Sequence, residues 1–390
     1  MDKRIKVGII YKVNNAWIAG TYFILNIIHA LYTLSDNQKP HLFIIVNNKK
    51  DFEDIKIKTQ YPYLEPLLIN TNGIMRKINK LFLLLFKRYL FLNKKLLSLD
   101  VILPITYNTA LGYNCKNSFI YWIPDFQEHY LSHLFSAEEI KMRKLFQIKI
   151  IYEKNNILLS SNFAYENLKS IYPGNQANVY VVPFAVSITL NNNLRFETIK
   201  DKYQIPSKYY FCPNQFWLHK NHVVILEALK ISIENNNPFF VVFTGKTEDY
   251  RTSDYFKKIC DFIEYNNLTS YVRILGFIDR DEMLHLLANS VALLQPSLFE
   301  GWSTTIEEAK ALGKPVICSD IPVHHQQLGN KGIYFNANNP HQLYNHIISL
   351  NTEIKLFDNY DIKIKEFGIN LYKMFLDVKN NTQKNSSNCY

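Results

Sequence analysis

Cysteine is scarce in this chain. Its 390 residues hold five, at positions 115, 212, 260, 318 and 389. The number is odd, the spacings are wide and no CxxC pair occurs. That excludes a disulfide framework and a zinc ribbon, and it points to a reducing compartment. Long apolar runs are also missing, since none approaches the roughly 20 residues needed to cross a bilayer. The opening MDKRIKVGIIYKV enters a strand directly, so no secretory leader is expected. Zinc-finger spacing and aromatic ribonucleoprotein motifs are absent, so no nucleic-acid partner is expected. No repeat recurs at solenoid periods. Acidic residues are outnumbered: 44 Lys and Arg stand against 34 Asp and Glu, a net charge of +10. A basic surface attracts polyanions such as anionic lipid or phosphorylated small molecules, and charge alone does not choose among them.

Apolar material is ample. The chain is 47% hydrophobic and 20% charged, enough to fill packed cores, and its length suits two domains. Against 12 glycines there are 26 Tyr and 26 Phe. Such rings suit stacking on sugars and bases, although AT-rich coding enriches the same residues. Short apolar runs typical of buried parallel strands lie at 5–10, 41–46, 101–105, 118–122, 156–160 and 179–183. Helical spacing appears between several of them, as at Ile24, Ile27, Ile28 and Leu31. The polar stretch 187–206 reads as a linker with one short helix. Alternation then restarts. Strands are expected at 209–212, 239–244, 271–276, 291–295, 314–318 and 332–335, and helices at 221–235, 252–265, 281–288, 304–312 and 340–350. The pattern predicts an α/β fold with two doubly wound, Rossmann-like domains facing across a cleft, spanning 1–186 and 207–352. A helical segment over 353–377 is expected to pack back on the first domain. The polar tail 378–390 is expected to be disordered.

The most informative stretch is 291–322, VALLQPSLFEGWSTTIEEAKALGKPVICSDIP. It reads strand, loop, helix, strand. Glu300 falls in the loop, and Glu308 falls inside the helix with seven residues between them. Gly301 allows a sharp turn. Ser303 and Thr304 are candidate N-caps, and the first-turn amides form an anion site with the helix dipole. A carboxylate accepts hydrogen bonds only, which suits paired sugar or ribose hydroxyls. A bare Glu-x7-Glu arises by chance and can be two solvated carboxylates. Here the pair is embedded between a strand and ALGKPVICSDIP. In that setting the segment resembles glycosyltransferase family 4 (glycosyl transferases group 1) of the bacterial polysaccharide and lipopolysaccharide type. The family's marks are Glu-x7-Glu in an EGFGLPxLEA-like setting and an A-x-G-x-P-V-[IV]-x-S-[DN] run.

The resemblance implies roles residue by residue. Glu308 would bind the donor ribose, and Glu300 a hydroxyl of the transferred sugar. Amides around Gly301, Ser303 and Thr304 would meet the donor sugar or diphosphate. Ser303-Thr304-Thr305 replaces the Gly-Leu-Pro of many members, which keeps the amides and leaves the donor sugar open. Glu307 points about 100° away around the helix and reads as surface or packing. In CPNQFWLHKNH at 212–222, Lys220 would neutralise the donor diphosphate. Gln215 stands where the family often has an Arg, and Lys246, after Gly245 in FTGK, is a candidate substitute. His219 and His222 read as packing or capping residues more than catalysts. In LGFIDR, backbone groups of Phe277 and Ile278 would meet the nucleobase. Asp279 and Asp281 form a DxD at a helix start, where carboxylates act as caps, and no metal is expected.

In the first domain, Gly20 belongs to a candidate acceptor or phosphate loop. Asp125 and His129, in the aromatic-rich WIPDFQEHYLSHLFS, are candidate catalytic groups beside Glu300 and Lys220. Residues 159–162 resemble the family's serine-bearing strand end. The stretch 75–97, with a Leu/Phe-rich centre and flanking cations, suits either an anionic membrane surface or a packed helix. Taken whole, the resemblance implies a GT-B fold and a retaining, metal-independent hexosyltransferase without cofactor. Its partners would be a nucleotide-sugar donor and a glycan or lipid-linked acceptor. It would be cytoplasmic, with peripheral contact at the inner face of the membrane. The alternatives are a nucleotide-sugar epimerase or sugar-phosphate synthase of the same fold. From another class, a basic binding protein for anionic lipid or nucleic acid stays open.

Overall fold

The apolar runs fold into two parallel sheets in the computed structural model, which describes residues 4–11, 18–68, 96, 98–106, 118–249, 251–252, 254–350 and 359–387. The first sheet contains β1 (Lys6–Ile10), β2 (His41–Val46), β3 (Leu64–Leu68), β4 (Val101–Ile105), β5 (Ser118–Trp122), β6 (Asn156–Leu159) and β7 (Asn178–Val181). Their order is β3-β2-β1-β4-β5-β6-β7. The second contains β8 (Tyr210–Cys212), β9 (Val241–Phe243), β10 (Val272–Ile274), β11 (Leu293–Gln295), β12 (Val316–Ser319) and β13 (Ile333–Phe335). Their order is β10-β9-β8-β11-β12-β13. The strand pairs are parallel throughout both sheets. Helices cover both faces of such a sheet, which is why the inner strands read as unbroken apolar runs; Val101–Ile105 is buried at every position. β3 escaped the sequence reading because it is an edge strand. Its Glu65 and Pro66 are exposed and interrupt the apolar pattern.

The C-terminal chain returns to the first domain as the helix Asp361–Ser387. Its Phe367, Leu371, Met374, Phe375 and Val378 share one core with Phe23, Ile27, Ile28 and Leu31 of the helix Ile18–Tyr32. The two backbones nearly touch at Gly368, where a Cβ would lie 2.2 Å from the Ala30 carbonyl oxygen. The helix runs across the stretch from 378 that was expected to be disordered. Composition alone misled there: Val378 is fully buried and Lys379 pairs with Asp100 at 3.1 Å. Apart from Leu96, the basic stretch 75–97 lies outside the described residues.

Strand order reverses between β1 and β4 in one sheet and between β8 and β11 in the other. Loops leaving neighbouring strands on either side of such a point diverge and open a crevice. The cleft of about 810 Å³ lies there, lined by both domains.

Candidate active site

Adjacency of β8 and β11 decides which motifs meet. The loop after β8 carries Lys220 and the loop after β11 carries Glu300, and Lys220 Nζ lies 2.5 Å from Glu300 Oε1. The same oxygen accepts from Gln295 Nε2 at 2.8 Å. Burial pushes the Glu300 carboxyl up, but the charge and hydrogen bond of Lys220 outweigh it and hold the group below the usual range. Glu300 is therefore a charged acceptor in the cleft. Gln295 was not singled out from the sequence. It ends β11, accepts from Asn214 Nδ2 at 3.1 Å and from Thr305 Oγ1 at 3.0 Å, and so ties both loops to the helix Thr304–Ala311.

Ser303 caps that helix, its Oγ accepting from the Ile306 amide at 3.3 Å. Its own amide donates to Gln327 Oε1 at 3.0 Å, so this candidate donor contact is already engaged. Thr304 and Thr305 line the cleft in the first turn, where a helix provides no internal acceptor for its amides. One residue before the second glutamate, Glu307 is buried rather than on the surface. It pairs with Lys310 at 2.8 Å and accepts from Tyr360 Oη at 2.6 Å. Glu308 faces the cleft and is 1% exposed. Its Oε1 is held at 2.8 Å by Arg280 Nη2, a residue the motifs did not mark.

Gly245 has φ +146°, and a Cβ there would lie 2.3 Å from the Asn214 carbonyl oxygen. Only glycine lets the loop after β9 close on the loop after β8. The next residue, Lys246, lies over the Phe277 ring at 5.5 Å. Among the described residues, the Lys and Arg that line the cleft are Lys58, Lys220 and Arg280. Gln215 lines the cleft, and the backbone of Lys246 runs beside it, its carbonyl accepting from the Phe216 amide at 2.9 Å. Phe277 and Ile278 form part of the wall. Asp279 caps the helix Arg280–Asn289 and Asp281 accepts from Asn191 Nδ2 at 3.0 Å. Among the described residues no group of three or more His, Cys, Asp or Glu is arranged to hold a metal. His222 stacks on Phe216 at 4.5 Å, and burial lowers it to about 3. His219 lines the cleft but is buried, which lowers its pKa well below the ordinary value and leaves it neutral.

The first domain reaches the site through the loop after β5. Asp125 Oδ1 accepts from the Gln127 amide at 3.0 Å. Across the cleft, a Cβ on Gly301 would lie 2.3 Å from the Pro124 carbonyl oxygen and 2.8 Å from Asp125 Cβ. Phe299 stacks on Tyr130 at 5.6 Å, and Trp302 Nε1 donates to the Phe184 carbonyl at 3.0 Å. These contacts dock the Glu300 loop onto the first domain and set Asp125 beside it. Burial pushes the Asp125 carboxyl up to about 6. His129 does not join it. The single turn Gln127–Tyr130 carries His129 round to Gln147 Oε1 and Tyr172 Oη, each 3.3 Å from its Nε2. There it supports a buried network with Glu128 rather than the cleft. Gly20 sits in the first turn of the helix Ile18–Tyr32, and residues 12–17 of its loop lie outside the described residues. Ser160, in the LSSN segment, lines the cleft and accepts from Trp122 Nε1 at 3.3 Å.

Residues 195–366 match the family described as Glycosyl transferases group 1. This part of the chain is similar to that family. Within the group 1 region lie Lys220, Arg280, Glu300 and Glu308, so the matched residues build the C-terminal wall of the cleft. The O-antigen chain mannosyltransferase RfbU of Salmonella typhimurium is 27% identical over 178 residues, 45% of this chain and 48% of that protein. The chain thus spans about half the length of that curated relative. Likeness to solved structures extends over the whole chain. A glycosyltransferase from Rickettsia africae ESF-5 gives a TM-score of 0.64 at 16% identity, covering 99% of this chain and 100% of that one. HepE of Anabaena, solved with UDP and glucose, gives 0.62 at 14% identity, covering 99% and 100%. At these identities the likeness speaks for the fold, which is GT-B. No helix among the described residues is long and apolar enough to cross a membrane.

Proposed function

We propose that the chain is a retaining, metal-independent hexosyltransferase. It moves a sugar from a nucleotide-sugar donor to a glycan or lipid-linked acceptor in cell-surface polysaccharide synthesis. The observation that carries this reading is the Lys220–Glu300 pair, 2.5 Å apart at the strand-order switch point and beside the helix that presents Glu308. Lys220 and the first-turn amides of Thr304 and Thr305 stabilise negative charge on the departing diphosphate. Glu300 accepts from a hydroxyl of the transferred sugar. The acceptor hydroxyl attacks the face from which the diphosphate leaves and gives its proton to that leaving group. The chemistry needs positive charge, and side chains and amides of the chain supply it without cofactor or metal. Asp125 faces the reacting region from the acceptor side. The enzyme works in the cytoplasm, and contact of 75–97 with anionic lipid would bring it to lipid-linked acceptors at the inner face of the membrane.

A thermal-shift screen against nucleotides and nucleotide sugars tests the donor reading. A ligand present at 100 times its Kd stabilises by about 2.7 kcal/mol. The donor that shifts the protein is then turned over with acceptor, and the anomeric configuration of the product is read by NMR. Inversion, or a product with an epimerised donor sugar and no glycoside, would refute the assignment.

A further inference from the structure

Arg280 is the first residue of the helix Arg280–Asn289. A cation there meets the positive end of the macrodipole, an unfavourable place on its own helix. Two neighbours compensate. Its Nη2 donates to Glu308 Oε1 at 2.8 Å, and its guanidinium carbon lies 3.9 Å from the centroid of the Tyr22 ring. Glu308 belongs to the second domain and Tyr22 to the first, and all three residues line the cleft. A ribose hydroxyl approaching Glu308 Oε1 competes with Arg280 for that oxygen.

The geometry points to Arg280 as the phosphate-reading residue of the donor site, acting by exchange of partners; this rests on the nucleotide-sugar reading above. In the structure Arg280 holds Glu308. When donor enters, the ribose diol takes the carboxylate, and the guanidinium passes to the 5′-diphosphate one carbon beyond the ring. A nucleoside diphosphate carries a donor for Glu308 and an anion for Arg280, so both charges stay paired. A nucleoside carries only the diol, and its insertion takes the carboxylate from a largely buried guanidinium without offering it an anion. Arg280 thereby makes the site select nucleotides over nucleosides. The guanidinium fork suits phosphate oxygens, and the Tyr22 face keeps it at the domain seam while it changes partner.

The test is a titration of wild type, Arg280→Gln, Arg280→Lys and Tyr22→Leu with UDP, GDP and ADP and with the matching nucleosides. Calorimetry reads the diphosphates, and ligand-observed NMR reads the weak nucleosides. Arg280→Gln is expected to weaken the diphosphate that wild type binds by tenfold or more. The matching nucleoside should bind as well as before or better. Tyr22→Leu should lower the same preference by a smaller factor, and Arg280→Lys should retain part of it. Circular dichroism confirms that each variant is folded, and the Lys variant carries the comparison if the Gln variant is not. Equal losses for diphosphate and nucleoside would mean that Arg280 only positions Glu308 and would overturn the inference. So would unchanged affinities. If wild type binds none of the ligands, the nucleotide-sugar reading itself falls, and the inference with it.

Discussion

Glu300 and Glu308 pair with different cations, Lys220 and Arg280, and the proposed function gives them different work. Glu308→Ala is expected to lose affinity for the free nucleoside diphosphate as well as turnover, because a hydrogen bond to a charged acceptor contributes about 1.5–3 kcal/mol. Calorimetry on the folded variant checks this, and unchanged nucleotide affinity would remove Glu308 from the site. Asp125 has a different signature. Burial raises its pKa from the ordinary 3.8 to about 6. Its ionisation therefore opposes folding: the protein is relieved of that cost below pH 4 and bears it increasingly as pH rises through 6. The displacement amounts to up to about 3 kcal/mol at pH 8. Asp125→Asn should raise the melting temperature at pH 8, with the gap closing toward pH 4. A constant gap across that range would place the origin elsewhere. Legibility differed among these residues. Glu300, Glu308 and Lys220 were visible because each sits in a strand–loop–helix unit contiguous in the chain. Arg280 was not, because its partners Glu308 and Tyr22 are 28 and 258 positions away.

Loops and helices carry the interdomain contacts. Phe299 and Trp302 bracket Gly301 and anchor the Glu300 loop on the first domain, leaving no room for a methyl group against Pro124. Gly301→Ala should therefore push the loop off Asp125 and lower kcat/KM by at least tenfold. The fold should survive, with a stability loss of about 1–3 kcal/mol by analogy with overpacked cores. Steady-state kinetics beside urea unfolding separates the two effects. The helix Asp361–Ser387 closes the first domain's core. Leu371 is fully buried there, and Leu371→Ala should cost about 2–5 kcal/mol in urea unfolding. A loss under 0.5 kcal/mol would mean that this helix is not seated as described.

At the scale of the whole molecule, the cleft is lined by both domains, and the proposed function rests its phosphate chemistry on Lys220, Arg280 and helix amides. Turnover should then persist in excess EDTA, measured with purified donor and acceptor. Complete loss, restored by magnesium or manganese, would bring Asp279 and Asp281 into the site and overturn metal independence. The excess of basic residues fits a polyanionic ligand, but charge at this scale does not identify which one.

The sequence by itself determined the alternation of strand and helix, the two parallel sheets and the loops that hold Glu300, Glu308 and Lys220. These depend on periodicity and on residues close in the chain. Tertiary structure decided what those loops face. Docking of Trp302 and Phe299 brought Asp125 to Gly301, while one helical turn carried His129 away to Tyr172. It also decided that the polar C-terminal chain is helical, because the helix Ile18–Tyr32 offers an apolar face for it to cover. The direction of a side chain across a domain seam depends on packing between distant segments, and no local pattern records it.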